Sequence, residues 1–462
     1  MIIEDQNDTI ISLISSSTGG SVAILRISGN NAVSITEKFF PGYDLVKSSG
    51  GRFYVGNFLS SSHEVIDQVV LLIYKKPHSY TGEDVVEINC HANPFIIRKI
   101  IEEYLTANCR MAAPGEFSKR AFLNGKMDLV QAEAVADLIN AKSNAIVKNS
   151  LLQLSGQLSG IIIKIKDDMI RIASLLELDL DFSEEDLNII TADQILEILN
   201  MAESKIDSLL KSYKVGHVLT KGIDVLIIGK PNVGKSSLMN AFLNKDRVIV
   251  SNVPGTTRDI IHEDIVINNT YVRFIDTAGI RITDDFIESE GVSRTTKFMK
   301  QADVIILLVD ASEPLTSEDT HLISSMTAEY PQKLIVAANK TDKGTDQNCE
   351  RYLNKVNVKT QYISAKLNKN IDVLKNSITE KIFLLEKEIS EEVLITNERQ
   401  YESLKKSRAD LRSTKDGLMN GMGYEFIAVD IRTAIEHLSE ITGEISTDDI
   451  LNNIFSQFCI GK

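Results

Sequence analysis

The stretch GKPNVGKSS, Gly229 to Ser237, decides the fold of the central part of this chain. It follows the apolar run IDVLIIG and precedes the helical run LMNAFLN, which is the strand, loop and helix context of a phosphate-binding loop. Gly229 and Gly234 let the backbone turn so that its N–H groups surround a β-phosphate at a helix N-terminus. Lys235 would reach the β- and γ-phosphate oxygens, and Ser236 would ligate Mg²⁺. The stretch therefore predicts a nucleotide-binding α/β module.

Two later motifs indicate that the base is guanine. NKTD, Asn339 to Asp342, ends an apolar strand, and its last carboxylate would accept hydrogen bonds from the ring N–H and the exocyclic amine of guanine. Adenine offers an acceptor at that place, so a carboxylate there selects guanine. SAK, Ser364 to Lys366, follows the last apolar strand and is weak alone. In this order the motifs predict a GTPase.

Two segments between these motifs are expected to hold the γ-phosphate and Mg²⁺. DTAG ends a strand, where Asp276 can bind the Mg²⁺ shell through water and Gly279 lets the backbone approach the phosphate; a strand-end turn is the simpler alternative. In VSNVPGTTRD, residues 250 to 259, a switch loop would supply a threonine to Mg²⁺, and Thr257 is preferred over Thr256. The residues expected to contact GTP are Asn232, Val233, Gly234, Lys235, Ser236, Ser237, Ser251, Asn252, Val253, Pro254, Gly255, Thr256, Thr257, Asp276, Thr277, Ala278, Gly279, Asn339, Lys340, Asp342, Ser364, Ala365 and Lys366.

The residue after DTAG sets this module apart from Ras-like proteins. They keep a glutamine there to orient the attacking water, whereas this chain has Ile280, which cannot do so. Asn232 offers a carbonyl oxygen near the phosphates, and a monovalent cation held there could supply the charge that an arginine finger supplies elsewhere. A turn asparagine with a local backbone bond is the alternative. One carboxylate of DDFIESE, residues 284 to 290, could position water, or the whole run could be solvated.

Length and pattern predict a multidomain α+β chain, because 462 residues exceed one ordinary core. Residues 1–118 mix short strands such as VAILRIS and DQVVLLIY with a helical period near 95 to 105, which predicts an α+β domain. Residues 119–216 and 384–462 have helical patterns, and residues 217–383 alternate apolar strands with helices. The simplest arrangement inserts this module into one helical domain; two separate helical domains are the alternative.

Two apolar repeats predict helices in the flanking segments. Leu154, Leu158, Ile161, Ile165, Met169, Ile172 and Leu176 recur every three or four residues, as one face of a long packed helix requires. Leu404, Leu411 and Leu418 lie one heptad apart.

The composition limits the location and partners of the chain. A net charge of −14 argues mildly against a general nucleic-acid-binding surface but leaves room for a local basic patch. No segment reaches the ~18 apolar residues of a membrane span, and the N-terminus has no basic leader, so we expect a cytoplasmic protein without a membrane partner. Cys90, Cys109, Cys349 and Cys459 are scattered without a CxxC pair, which predicts reduced thiols.

Seven strings cover both ends and the centre of the chain: SYTGEDVVE (79 to 87), APGEFSKRAFLNGKMDLVQAEAVADLI (113 to 139), GKPNVGKSS, PGTTRD, DTAGIR, LSEITGE (438 to 444) and the terminal FCIGK. Through them the whole chain resembles the MnmE family, also called TrmE, of tRNA-modification GTPases. The resemblance implies an N-terminal domain that dimerises and binds folate, a discontinuous helical domain and an inserted G domain.

The resemblance also implies a reaction and its partners. With MnmG, a flavoprotein that uses NADH, the family forms a heterotetramer that installs an aminomethyl or carboxymethylaminomethyl group at carbon five of the wobble uridine of certain tRNAs. A 5-formyl- or 5,10-methylene-tetrahydrofolate is the implied one-carbon ligand. Potassium-dependent hydrolysis of GTP, coupled to dimerisation of the G domains, drives the process.

The family's site residues fall on particular positions of this chain. The implied folate contacts are Arg26, Glu87, Lys126 and Lys462. The implied potassium ligands are Asn232, Ser251, Val253 and Thr256, and those of Mg²⁺ are Ser236 and Thr257. Glu288 corresponds to the water-positioning glutamate, which with Lys235 would serve hydrolysis, and Cys459 lies in the CxGK ending, where a thiolate could assist the modification.

The chain departs from the family pattern at two places. SSSTGGS precedes VAILRIS where a glycine-rich turn is usual, and His91-Ala92-Asn93 stands where His-Gly-Gly is usual. Two other functions remain open on the sequence alone. One is a regulatory or ribosome-assembly GTPase of the Era or EngA type, which shares PGTTRD and DTAG; the other is a folate-binding scaffold whose flavoprotein partner performs the carbon transfer. FCIGK and the N-terminal strings favour the modification enzyme over the regulator.

Overall fold

The computed structural model describes residues 8–15, 20–141, 143–181, 190–243, 263–268, 270–275, 298–356, 358–386, 393–456, 458 and 461. The chain forms two compact units. The first comprises Met1–Ala136, Gln153–Ile190 and Gly421–Lys462, and the second comprises Asp137–Leu152 and Thr191–Asn420. Each unit therefore contains segments from both sides of the phosphate-binding loop.

Strands and helices both occur on either side of the phosphate-binding loop. The described strands are β1 Thr9–Leu13, β2 Val22–Ser28, β3 Arg52–Leu59, β4 Val65–Tyr74, β5 Val85–His91, β6 Cys109–Met111, β7 Ile223–Ile228, β8 Glu263–Ile267, β9 Thr270–Ile275, β10 Val304–Asp310, β11 Leu334–Asn339 and β12 Thr360–Tyr362. The described α-helices are α1 Ala32–Phe39, α2 Pro94–Thr106, α3 Glu116–Leu123, α4 Leu129–Ile139, α5 Asn144–Leu154, α6 Gln157–Asp181, α7 Ala192–Lys221, α8 Lys235–Leu243, α9 Ser317–Glu329, α10 Gln347–Lys355, α11 Ile371–Glu386, α12 Glu398–Met419, α13 Tyr424–Thr442 and α14 Asp448–Ser456.

The first unit is built on a six-stranded sheet in the order β3-β4-β5-β2-β1-β6. Its pairs are antiparallel except β1 with β6, which is parallel. The strand alternation of β2 separates the two faces: Ala23, Leu25 and Ile27 are buried in the core, while Arg26 lies on the opposite face. VAILRIS is β2 as predicted, and α2 covers the predicted helical period.

The second unit contains the other six-stranded sheet, in the order β12-β11-β10-β7-β9-β8. All its pairs are parallel except β8 with β9, which is antiparallel. Apolar clusters line both faces, as expected for a parallel sheet covered on two sides. The predicted alternation of apolar strands with helices is therefore confirmed, and the multidomain α+β fold class with it.

The predicted long helix through Leu154 is wrong at its start. Gly156 takes a left-handed conformation with φ +86° and its N–H bonds Gln153, so Leu154 ends α5 and α6 begins only at Gln157. Ile162 replaces the predicted Ile161 on the buried face of α6. The buried apolar positions at this heptad spacing are Leu158, Ile162, Ile165, Met169, Ile172 and Leu176.

The helical segments pack within each unit. In the first unit α6 packs against α13, and in the second α7 packs against α12, which is the helix predicted from Leu404, Leu411 and Leu418; all three are buried. Each such side chain stabilises the fold by about 1.5–3 kcal/mol when fully buried. The domain boundaries expected near residues 118, 216 and 383 stay predictions; α3 runs through the first of them.

Three of the four cysteines lie in the described residues and are free and buried. Burial raises the pKa of the Cys90 and Cys349 thiols to about 11 and that of Cys109 to about 12, so these thiols are protonated at neutral pH. Cys459 lies outside the described residues. Among the helices that the structure describes, none has the length and apolar character needed to cross a membrane.

Candidate guanine-nucleotide site and N-terminal site

The phosphate-binding loop joins the end of β7 to the start of α8. Gly229 and Gly234 have φ +154° and +104°, and neither has room for a side chain. A Cβ at Gly229 would lie 2.4 Å from the carbonyl oxygen of Leu308, and one at Gly234 would lie 2.3 Å from Nδ2 of Asn339. Both glycines are therefore required by conformation and by packing, and the loop backbone is free to face a phosphate.

The Lys235 ammonium folds back over this loop. Its Nζ donates hydrogen bonds to the carbonyl oxygens of Gly229 at 2.6 Å and Lys230 at 2.9 Å. Burial lowers the pKa of Lys235. Phosphate oxygens are charged acceptors and bind an ammonium more strongly than carbonyls do, so a nucleotide would draw the side chain off the loop.

Asn232, Ser236 and Ser237 lie at the exposed side of the loop and the first turn of α8. Asn232 has a left-handed backbone with φ +64°. Within the described part of the chain its side-chain amide has no hydrogen-bond partner, which distinguishes it from a turn asparagine that bonds its own backbone.

Asn339 joins the three motifs of the site. Its Nδ2 donates to the Val233 carbonyl at 2.8 Å and its Oδ1 accepts from the Ala365 N–H at 2.9 Å, while the residue is only 2 % exposed. One amide thus ties the phosphate loop, NKTD and SAK together. Sequence reasoning missed this role; the signal was an amide side chain at a strand end, where two further motifs must meet.

The Asp342 carboxylate, which the sequence predicts to bind guanine, is held by a neighbouring hydroxyl group. Its Oδ1 accepts a hydrogen bond from Ser364 Oγ at 2.6 Å, which holds its pKa below the ordinary value of 3.8. The group is exposed and stays ionised. Lys340 has φ +66° and pairs with Asp310 at 2.6 Å, while Lys366 is exposed beside the motif. The arrangement suits the two donors of guanine.

Several predicted site residues lie outside the described residues, namely Ser251, Asn252, Val253, Pro254, Gly255, Thr256, Thr257, Asp276, Thr277, Ala278, Gly279, Glu288, Cys459 and Lys462. Among the residues that are described, no group of three His, Cys, Asp or Glu could hold a metal ion. Ser236 is the described member of the predicted Mg²⁺ set, and Asn232 that of the potassium set.

Arg26 and Glu87 face each other across β2 and β5 on the side of the first sheet opposite the core. The Arg26 Nε and Nη2 donate to Glu87 Oε1 at 2.9 and 2.8 Å, and both side chains are largely buried. The guanidinium lies 4.8 Å from the ring centroid of Tyr80 and 5.5 Å from that of Phe117. Salt bridge and ring contacts fix Arg26 in one orientation.

Of the other predicted folate contacts, Lys126 is described and Lys462 lies outside the described residues. Lys126 Nζ donates a hydrogen bond to the carbonyl of Pro77 at 3.0 Å. Pro77 lies three positions before Tyr80, whose ring contacts Arg26. Gly461, one residue before the predicted contact Lys462, lies against β1: a Cβ there would be 2.3 Å from the carbonyl oxygen of Leu13. Gly461 therefore lies at the strand that pairs with β2.

A buried ionic cluster beside this face was missed by sequence reasoning. Arg120, from the string APGEFSKRAFLNGK, is 7 % exposed and bonds Glu116 at 2.9 Å, Glu83 at 3.2 Å and the Asp8 carbonyl at 2.9 Å. Glu83 also accepts from Ser28 in β2 at 2.7 Å. The cluster joins residues that are far apart in the chain, so it cannot be predicted from a local sequence pattern. It holds α3 and the SYTGED loop against the sheet.

The departure at His91-Ala92-Asn93 has a local explanation. Asn93 has an extended backbone and is the N-cap of α2: its side chain accepts from the Phe95 N–H at 2.9 Å. His91 Nδ1 lies 2.8 Å from Asp67 Oδ1. The turn therefore needs no glycine here.

Comparison with known proteins identifies the family of the chain. The family model described as GTP-binding protein TrmE N-terminus matches residues 9–126, and that described as MnmE helical domain matches residues 129–459. The protein named tRNA modification GTPase MnmE of Christiangramia forsetii is 40% identical over 99% of both chains. That of Cytophaga hutchinsonii is 41% identical over 100% of this chain and 99% of its own, and that of Aquifex aeolicus is 39% identical over 96% and 97%. Because these matches span both ends and the centre of the sequence, the chain belongs to the MnmE family of tRNA modification GTPases.

Proposed function

We propose that this tRNA modification GTPase works with the flavoprotein MnmG in a heterotetramer. The pair would add an aminomethyl or carboxymethylaminomethyl group at carbon five of the wobble uridine, with a tetrahydrofolate one-carbon donor and potassium-activated GTP hydrolysis. The observation that carries the proposal is that one chain holds a guanine-nucleotide site and, in its first unit, a separate Arg26–Glu87 site beside its own C-terminal Gly461.

At the nucleotide site, residues of this chain bind, orient and neutralise the phosphates. Lys235 would exchange the carbonyls of Gly229 and Lys230 for β- and γ-phosphate oxygens, and Asp342 would read guanine. Ser236 and Thr257 would hold Mg²⁺, which neutralises charge that develops on the phosphates. These steps need no side chain at the position of Ile280.

Two further groups would complete hydrolysis. The unpartnered amide of Asn232 would hold potassium together with Ser251, Val253 and Thr256, because a carbonyl oxygen is a ligand that suits a hard monovalent cation. Glu288 would orient the attacking water, a role that needs a carboxylate within hydrogen-bond reach of that water.

The donor set around Arg26 fits a folate. A carboxylate such as Glu87 can accept hydrogen bonds from the donor edge of a pterin. The ammonium groups of Lys126 and Lys462 would bind the carboxylates of the folate's glutamate tail. Tyr80 and Phe117 hold the Arg26 guanidinium in place through ring contacts. Folate supplies one carbon at the oxidation level of formaldehyde or formate. Cys459 would assist the modification from the same tail.

A homodimer is supported by an uncovered sheet face in the first unit. Phe53, Val55 and Val70 are 70, 49 and 36 % exposed on adjacent strands, and Val55 pairs with Val70. Apolar side chains clustered on an open sheet face mark an association surface. A second copy of this chain would cover it, and Val55→Asp is expected to shift the protein to monomers in sedimentation velocity.

A reconstituted reaction tests the proposed chemistry. This chain, the flavoprotein, tRNA, GTP, NADH, potassium and magnesium salts, a methylene donor labelled at its carbon, and ammonium or glycine as the source of the nitrogen are combined, and each protein is omitted in turn. Labelled carbon on the wobble uridine only when both proteins are present supports the joint reaction. Label transferred by the flavoprotein alone would reduce this chain to a scaffold or regulator, and no label at all would refute the folate donor.

A further inference from the structure

The LSEITGE segment, residues 438 to 444, carries the end of α13 and has no role in either site described above. Gly443 caps this helix with φ +87°, and the N–H groups of Gly443 and Glu444 both bond the Ser439 carbonyl, at 3.0 and 3.1 Å. A Cβ at Gly443 would lie 2.9 Å from Leu129 Cβ and from the Phe122 ring. The turn is therefore pressed against α3 and α4, and only glycine fits it.

The next residue in this turn anchors it to a third helix. Glu444 forms an ion pair with Lys166 of α6, whose side chain is only 9 % exposed. Among the described residues, Lys166 forms this one ion pair. An ammonium held between helices is unfavourable without a counter-charge. Glu444 is therefore drawn to one position on α6, and the direction in which the chain leaves α13 is fixed.

Helix α14 follows this turn and is held at a defined depth. Its Phe455 and the following Phe458 are buried, with ring centroids 5.4 Å apart, and Phe455 lies 6.5 Å from the Phe122 ring that also touches the Gly443 turn. On the other side, a Cβ at Gly115 would lie 2.5 Å from the Phe455 carbonyl oxygen. A tilt of α14 toward α3 would bring the Phe455 carbonyl into Gly115, and a tilt away would separate the rings of Phe455 and Phe122.

The end of this path is the strand beside Arg26. Gly461 has φ +99°, and its closest approach is to the Leu13 carbonyl of β1, at 2.3 Å for a built Cβ. The neighbouring residue of β1, Ser12, pairs with Arg26 of β2. Among the described residues, Glu444 thus contacts α6, Gly443 and Phe455 both contact Phe122 of α3, and Gly461 lies against the strand that pairs with β2.

We infer that Lys166, Glu444 and Gly443 are positioning residues that set where the C-terminal tail lies against β1. The inference rests on the proposed function in so far as the tail acts at the Arg26 face. The placement itself stands on described contacts alone. It can therefore be measured without any activity.

The test uses the full chain with Lys166→Met and Glu444→Gln together. This double variant removes the ion pair but keeps the aliphatic packing of Lys166, so no buried charge is left alone. Hydrogen exchange followed by mass spectrometry is expected to show amides of residues 455 to 461 exchanging at least about tenfold faster. The kcat of tRNA modification should fall by about the same factor, while the KM and kcat for GTP stay within about twofold.

Matched variants separate positioning from general stability. Glu177→Gln removes the ion pair between Glu177 and Arg432, which also joins α6 to α13 but is exposed and lies about three helical turns from Lys166 and from Gly443. It should leave tail exchange and modification unchanged. Gly443→Ala disturbs the same turn by steric contact and should loosen the tail as the double variant does.

The outcomes are distinct. Unchanged exchange of residues 455 to 461 in the double variant overturns the inference, as does equal loosening by Glu177→Gln. A loosened tail with slower modification supports it. A loosened tail with unchanged modification supports the positioning role and counts against the proposed action of the tail at the Arg26 face.

Discussion

Removal of the Asn339 amide is expected to disconnect the nucleotide site. Asn339→Ala leaves the Val233 carbonyl and the Ala365 N–H without their partners, each in a site where the asparagine itself is 2 % exposed. A buried group left unsatisfied costs about 1–3 kcal/mol. Because water can enter a nucleotide cleft, we take the lower half of that range for each group. The expected loss in free energy of unfolding of the second unit is therefore about 2–4 kcal/mol.

The same loss should appear in nucleotide binding. Without the amide, the phosphate loop and the SAK backbone are no longer held at a fixed separation, and GTP must order them as it binds. An ordering cost of about 1.4–2.8 kcal/mol raises the Kd for GTP by about 10- to 100-fold. GDP should be affected equally, because the amide acts on the loop and the base motifs rather than on the γ-phosphate.

Urea unfolding and isothermal titration with GTP measure these two quantities. Asn376→Ala is the matched control: it removes an exposed hydrogen bond to Asn268, 2.9 Å long, in the same unit, and should change stability by less than about 0.5 kcal/mol. The proposed role of Asn339 is refuted if Asn339→Ala changes the free energy of unfolding by less than about 0.5 kcal/mol and the Kd for GTP by less than about twofold.

Three other predictions follow from single residues. Asp342→Asn should reverse base preference from GTP to XTP by at least about a hundredfold in competition binding, since an amide matches xanthine's carbonyl; retained GTP preference would contradict the role of Asp342. GTP hydrolysis should be faster in potassium than in sodium salts, and Asn232→Ala should abolish the difference; equal rates for the wild type, or an unchanged response of the variant, argue against the cation site. Hydrogen bonds from Lys415 and Arg412 hold the pKa of Glu203 below its ordinary value of 4.5, so the stability it contributes is present above pH 4.5 and lost as pH falls through the folded-state pKa. Glu203→Gln should lower stability at pH 7 and make no difference in strong acid; an effect independent of pH would refute the linkage.

Local patterns predicted several strands and helices correctly. VAILRIS alternates as a strand covered on one face, IDVLIIG is a short continuous apolar run typical of a strand buried on both faces, and Leu404, Leu411 and Leu418 recur at helical spacing. The glycines of the phosphate-binding loop were also predictable, because the tight turn of the loop requires positive φ angles at Gly229 and Gly234. For these features the sequence was sufficient.

Other features depend on contacts between distant residues and escaped prediction. The helix break before α6 depends on one left-handed glycine, Gly156, within an apolar repeat that continues across it. Asn339 and Arg120 stabilise their sites through hydrogen bonds to distant residues. Asn339 bonds Val233, 106 positions away, and Arg120 bonds Asp8, 112 positions away. A periodic pattern contains no information about such pairs.

The most direct test of the assignment is the nucleoside composition of tRNA. Cells that lack this chain are complemented with the wild type or with Lys235→Ala, and their tRNA is digested and analysed by mass spectrometry. The wobble uridines should lack the aminomethyl-type group at carbon five without the chain, regain it with the wild type and still lack it with Lys235→Ala. Wobble uridines that remain modified without the chain would contradict its role as a tRNA modification GTPase.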